Sequence, residues 1–229
     1  MYFDPLYLFF MLPGLLLSLW ATMKTKTAFD HYSRVRAASG MTGAQAAARL
    51  LADAGINDVV VEHVDGFLSD HYDPSARRLR LSDKVYSSAS LAAIGVACHE
   101  AGHAIQHATG YGPLQLRSAL VPAASVASPL SYVFIVLGFL FAAPALLWVG
   151  IICFSAAVLF SLVTLPVEYD ASRRARALMV RAGIVSPAEE NAAGEVLTAA
   201  FLTYVAAAVS ALLTLLYYLV RAGAFSRRD

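Results

Sequence analysis

His99-Glu100-Ala101-Gly102-His103 is the segment of this 229-residue chain whose residue types and spacing most plainly define a reaction centre. At 3.6 residues per turn, two histidines four apart project from one helix face, so two imidazole nitrogens can share one zinc at about 2.0–2.1 Å. Glu100 lies beside them, placed to take a proton from a water that the metal polarises. The bland alternative is a pair of surface histidines on an ordinary helix. Gly102 costs a helix about 1 kcal/mol relative to alanine. It marks a place where a metal, a substrate or another helix comes close to the backbone.

A catalytic zinc takes three protein ligands and keeps a fourth position open. His107 continues the same face, but three histidines along one straight helix form a row rather than the face of a tetrahedron, so a supporting or surface role suits it better. The metzincin spacing would need glycine at 106 and histidine at 109, where Gln106 and Thr109 stand. Glu168-Tyr169-Asp170, just after Pro166, offers acids from a second direction. Glu168 is the expected third ligand and Asp170 the group that orients the site. The alternative for both is a solvated helix N-terminus. His71, Tyr169, Arg173 and Tyr204 have the chemistry to stabilise an oxyanion, although a structural role is the simpler reading of each.

These residues need a scaffold, and composition describes it. Hydrophobic residues make up 59% of the chain and charged ones 14%, against about 45–50% and about 25% in soluble domains. The excess lies in four apolar blocks, Pro5 to Met23, Leu120 to Ala143, Pro144 to Leu165 and Val196 to Val220. Each can cross a hydrocarbon core of about 30 Å at about 1.5 Å per residue. The middle two form a hairpin that returns the chain to the side of His99 and His103, which makes Glu168 their neighbour in space. The blocks carry essentially no ionisable residues, which argues against a metal transporter.

The expected organisation is a membrane anchor over 1–23, a metallopeptidase domain over 24–119, a hairpin over 120–165, a segment bearing the third ligand over 166–195, and a final span with its tail over 196–229. The first block has no basic leader and no small-x-small cleavage site, so it reads as a retained anchor. Fourteen Lys and Arg fall on the side of the domain, and Arg221, Arg227 and Arg228 fall after the last block. The positive-inside rule therefore puts the domain in the cytoplasm and both termini outside. A net charge of +1 gives no field for nucleic acid. Cys98 and Cys153 sit in unlike places and form no disulfide framework.

Within the domain, Thr42-Gly43-Ala44-Gln45 has capping-box form and opens an amphipathic helix that Gly55 stops. Val59 to Val61, the turn residues Asp70 to Pro74 and the alternating Arg78 to Ser82 predict two or three short strands. Ser82 or Asp83 is the expected cap of the helix that carries the histidines. The strand around Arg78 could be an exposed edge that pairs with substrate, or an edge guarded by its arginines.

The segment His99 to His107, the Asp70-His71-Tyr72-Asp73-Pro74 and Leu79-Arg80-Leu81-Ser82 runs, and Pro166-Val167-Glu168-Tyr169-Asp170-Ala171-Ser172-Arg173 together resemble the neutral zinc metallopeptidases of bacterial membranes, the YugP-like family. The resemblance covers nearly the whole chain. It implies a mainly α integral membrane protein with four transmembrane helices and a small α+β zincin-like (gluzincin) domain. It also implies one Zn2+ on His99, His103 and Glu168, and Glu100 as the base of an endopeptidase in the bacterial inner membrane that acts on membrane or misfolded proteins. More distantly the chain is similar to HtpX-like proteases and prenyl-protein endopeptidases. Those carry their acid as Glu-x-x-x-Asp, whereas here the aspartate is two residues beyond Glu168. A non-catalytic assembly factor with a structural metal is the other class of function, and an intact Glu100 counts against it.

Overall fold

The computed structural model describes residues 4–66 and 69–223; of the charges weighed above, Arg227 and Arg228 lie outside them. The chain is mostly helical, with one small sheet. The elements run α1 (Pro5–Tyr32), α2 (Gly43–Asp53), β1 (Val60–Val64), β2 (His71–Asp73), β3 (Arg78–Ser82), α3 (Asp83–Tyr86), α4 (Leu91–Ala108), α5 (Gly112–Leu140), α6 (Pro144–Arg181) and α7 (Pro187–Arg221). Helices α1, α5, α6 and α7 are long and apolar enough to cross a membrane. The described residues divide into two compact units: those within 4–20, 115–165 and 203–223 form one, and those within 21–66, 69–114 and 166–202 the other.

The first unit holds most of the apolar helix length. Ile135, Leu147, Ile151, Phe154 and Val158 form its core. Small residues bring its helices together: a Cβ on Gly138 would lie 2.7 Å from the Leu147 nitrogen, and one on Gly14 would lie 2.7 Å from Ser210 Oγ. Such close crossings are how apolar helices associate where burial from water cannot drive them. Leu16, Val126 and Ile152 point outward.

The second unit is built around α4. The capping box is present, with Thr42 Oγ1 accepting from Gln45 N while Gln45 Oε1 accepts from Thr42 N. Helix α2 then packs its buried Ala46, Ala47, Leu50 and Leu51 on α4. The cap of α4 is Ser90, whose Oγ accepts from Ala93 N at 3.2 Å. The expected caps Ser82 and Asp83 sit instead at the start of the four-residue α3. There the Ser82 hydroxyl is taken by Asp70, which also accepts from the Ser82 amide.

The sheet order is β1-β3-β2, with β1 parallel and β2 antiparallel to β3. Strand β3 is therefore central, and its expected role as an exposed edge does not hold. The cause is the hairpin: Asp73 Oδ1 accepts from the Ser75 and Ala76 amides, and Arg77 completes the turn with φ at +51°. That leaves the far side of β3 for β1. Arg78 and Arg80 do not guard an edge but pair with Glu62 of β1.

Helix α6 continues through Pro166 to Arg181, so Glu168 and Asp170 lie inside a helix rather than at its N-terminus. It meets α4 at Gly102, where a Cβ would fall 2.6 Å from the Ala171 carbonyl oxygen. About two turns earlier along the same face, Gly95 lies against Ala193 of α7. The glycine in the histidine motif thus serves helix contact. Gly102→Ala should force α4 and α6 apart at a cost of about 1–3 kcal/mol, read as a lowered unfolding midpoint, whereas Gly55→Asn, at an open turn with φ +73°, should change it little. Equal stability of Gly102→Ala and wild type would show that the two helices are not held at this distance.

Candidate metal centre

His99 and His103 extend from α4 and Glu168 from α6, and their ligand atoms converge. Glu168 Oε2 lies 3.2 Å from His99 Nε2 and 3.6 Å from His103 Nε2, and the three donor atoms fall within 4.8 Å of one another. A tetrahedral zinc with bonds of about 2.0–2.1 Å separates its ligand atoms by about 3.3 Å. The spacing and the donor set both fit such an ion. The imidazole rings stand edge to face, 4.8 Å between centroids.

The two Nδ1 atoms are occupied elsewhere, which leaves both Nε2 atoms for the centre. His99 Nδ1 is 3.0 Å from Ser172 Oγ, and His103 Nδ1 is 3.0 Å from Gln106 Oε1. The Gln106 amide has one orientation that satisfies its neighbours: Nε2 donates to the Val167 carbonyl at 2.8 Å and to Asp170 Oδ2 at 3.0 Å, so Oε1 must accept from His103. Gln106 is fully buried. It fixes the tautomer of His103, as partners of metal-binding histidines commonly do.

Burial opposes the charge on Glu168, but the bonds from His103 and His99 hold its carboxyl well below the usual carboxylate range. Burial also works against charge on His103, yet Glu168, the nearby Glu100 and Gln106 hold its imidazole above the ordinary value. Both directions describe an ionised acid set among basic nitrogens. Asp170, buried as well, is kept low by Gln106, Arg174 and Arg173 against the opposing effect of burial.

The expected site residues separate into groups. His99, His103 and Glu168 come together, and the half-buried Glu100 is close enough for its charge to act on His103. Asp170 reaches the histidines only through Gln106. Arg173 Nη2 pairs with Asp170 Oδ1 at 2.7 Å. Arg174 pairs with Asp170 Oδ2 at 2.5 Å, touches Thr109 and lies over the Tyr111 ring. The Tyr111 hydroxyl reaches the Pro166 carbonyl, so these contacts fasten the end of α4 to α6. His107 is exposed and its Nδ1 shares a hydrogen bond with the Tyr72 hydroxyl at 2.8 Å. His71 bonds within its strand region to Ser69 and Arg80. Tyr169 is exposed, its ring 5.7 Å from that of Phe201. Tyr204 belongs to the other unit.

Sequence reasoning passed over Ser172 and Gln106. Ser172 follows Glu168 by four residues, the position where the more distant families carry their aspartate, so helical spacing was a usable signal. Gln106 follows His103 by three, and only the approach of α6 gives it partners.

A helix pair carrying two histidines and a buried glutamate around one point presents a donor set of the kind that zinc takes. The family described as "Putative neutral zinc metallopeptidase" matches residues 7–223, and the chain belongs to it. A protein of Bacillus subtilis (strain 168), "Putative membrane protease YugP", is 47% identical over 215 residues, 94% of this chain and 96% of that protein. No solved structure matches the chain.

Gln106→Leu should lower stability by about 1–3 kcal/mol in a thermal or denaturant melt, because Asp170 and the Val167 carbonyl lose a buried donor. Gln106→Glu should cost more, since a carboxylate then faces Asp170. A Glu variant as stable as wild type would mean that the amide is not oriented as described.

Proposed function

We propose that the protein is a membrane-embedded zinc endopeptidase of gluzincin type, with a zincin-like domain, that hydrolyses peptide bonds of membrane or misfolded proteins. The observation that carries this reading is the convergence of His99 Nε2, His103 Nε2 and Glu168 Oε2 beside Glu100. These three are the proposed ligands of one Zn2+ per chain. Zinc bound there supplies a Lewis acid for the scissile carbonyl and brings the pKa of a coordinated water toward about 7.

The residues of the chain do the rest. Glu100 takes the proton of the attacking water and returns it to the leaving amine nitrogen. Ser172 and Gln106 keep both imidazoles turned with Nε2 toward the centre, and Asp170 holds Gln106 in place. The reading as a structural metal protein needs a fourth ligand, and its two candidates are otherwise engaged: His107 with Tyr72, and Asp170 with Gln106, Arg173 and Arg174.

The apolar blocks 5–23, 120–143, 144–165 and 196–220, which lie largely in α1, α5, α6 and α7, are the proposed membrane spans, and the charge distribution supports a cytoplasmic peptidase domain in the bacterial inner membrane. Reporter fusions at Asp65 should then report cytoplasm and fusions after Asp229 the outside; a cytoplasmic C-terminus would overturn this orientation.

Zinc analysis with a peptide-cleavage assay tests the catalytic reading. Glu100→Gln should keep its zinc and lose hydrolysis by a factor on the order of 10² or more. Glu168→Ala should lose zinc and activity together, and His107→Ala should retain zinc with a modest change in rate. Full activity in Glu100→Gln, or zinc retained by Glu168→Ala and lost by His107→Ala, would contradict it.

A further inference from the structure

Three helices fix the level of the converging donor atoms along the proposed spans. On α6 the apolar block ends at Leu165, and Glu168 follows in the same helix, about 4.5 Å further along its axis. On α1 the apolar block ends at Met23, and just beyond it the Thr25 hydroxyl lies 2.8 Å from the Ala199 carbonyl oxygen of α7. Phe201, half a turn deeper in the apolar block of α7, meets the Tyr169 ring at 5.7 Å between centroids. The water-side border of the spans therefore falls at Leu165 when read on α6 and near Tyr169 when read on α1 and α7, and Glu168 lies between the two. Tyr169 is 58% exposed, and Lys24 and Lys26 flank Thr25. Exposed tyrosines and lysines at a span end are the residues that sit among lipid headgroups.

Resting on the peptidase reading and its spans, we infer that the centre stands at the border of the bilayer and that its substrate is the juxtamembrane stretch of a membrane-anchored polypeptide. Reach sets where such a substrate is cut. The headgroup layer is about 5–8 Å deep on each side of the hydrocarbon. A bond held within about 10 Å of the hydrocarbon lies within about three extended or about seven helical residues of the end of the substrate's own apolar segment. An anchor in the bilayer keeps that short stretch at the height of the centre. Its effective concentration there falls roughly as the −3/2 power of tether length, so a site far out in a loop or in a soluble chain loses the advantage. Of membrane and misfolded proteins, this level selects the membrane-anchored ones.

Depth is measured with nitroxides at Tyr169→Cys and Ala177→Cys, each combined with Cys153→Ala, in the full chain reconstituted into lipid vesicles. Ala177 is also exposed and lies about 12 Å further along α6, while Cys98 is buried out of reach of the label. Collisions with oxygen and with a water-soluble nickel chelate should place the label at 169 in the headgroup layer and the label at 177 in water. A label at 169 as open to the chelate as the one at 177 would overturn the inference. Substrate choice is measured with single-span proteins that carry one cleavable sequence on Gly-Ser linkers of about 5, 20 and 40 residues, reconstituted together with the zinc-loaded protein. Hydrolysis should fall at least about tenfold from the shortest linker to the longest. Equal rates, or a rise with linker length, would overturn it as well. Absence of hydrolysis across the whole series, in protein that carries zinc, counts against the peptidase reading alone, and the label at 169 still decides the level of the centre.

Discussion

The structure depends on how it compensates one carboxylate. Glu168 is 2% exposed and sits inside a helix, where an uncompensated charge would cost several kcal/mol. Two histidine side chains lie within 3.6 Å of it, and they belong to a helix that reaches it only because Gly102 lets α4 press on Ala171. The proposed metal would take over this compensation. Most of the surrounding polar network follows from the same requirement: with α4 and α6 this close, Gln106 falls between His103 and Asp170, and the arginines that follow on α6 neutralise Asp170 in turn.

This arrangement explains why the charges after Pro166 are not free to act as surface groups. Asp170 is occupied on both oxygens, one by Arg173 and the other by Arg174 and Gln106. Arg174 adds the clasp to Thr109 and Tyr111, which closes the lower end of α4 on the start of the polar half of α6. The rigidity that the proposed metal site would need is thus supplied by ordinary ion pairs and amide bonds one step away from the histidines.

Much of this was legible in the residues. The spacing of His99 and His103 announced a shared helix face, the apolar blocks announced the four long helices, and Thr42 with Gln45 announced a capping box. Other features were not legible, for physical reasons. Periodicity marks a strand but not its neighbours, so β3 read as an edge until β1 was seen to pair with it. Serine is a good cap wherever it stands, so Ser82 and Ser90 could not be ranked before Asp70 was known to claim Ser82. Proline usually ends a helix, so the continuation of α6 through Pro166 had to be seen. Gln106 acquires its role only from the approach of a helix some sixty residues later in the chain.

The central claim is a three-residue donor set of two imidazoles and one carboxylate, and X-ray absorption at the zinc edge of the purified protein tests it most directly. The account predicts a first shell of nitrogen and oxygen atoms only, at about 2.0–2.1 Å, with the outer-shell scattering of two imidazoles. A sulfur at about 2.3 Å, which would bring in a cysteine, or the scattering of a third imidazole, which would bring in His107, would contradict it.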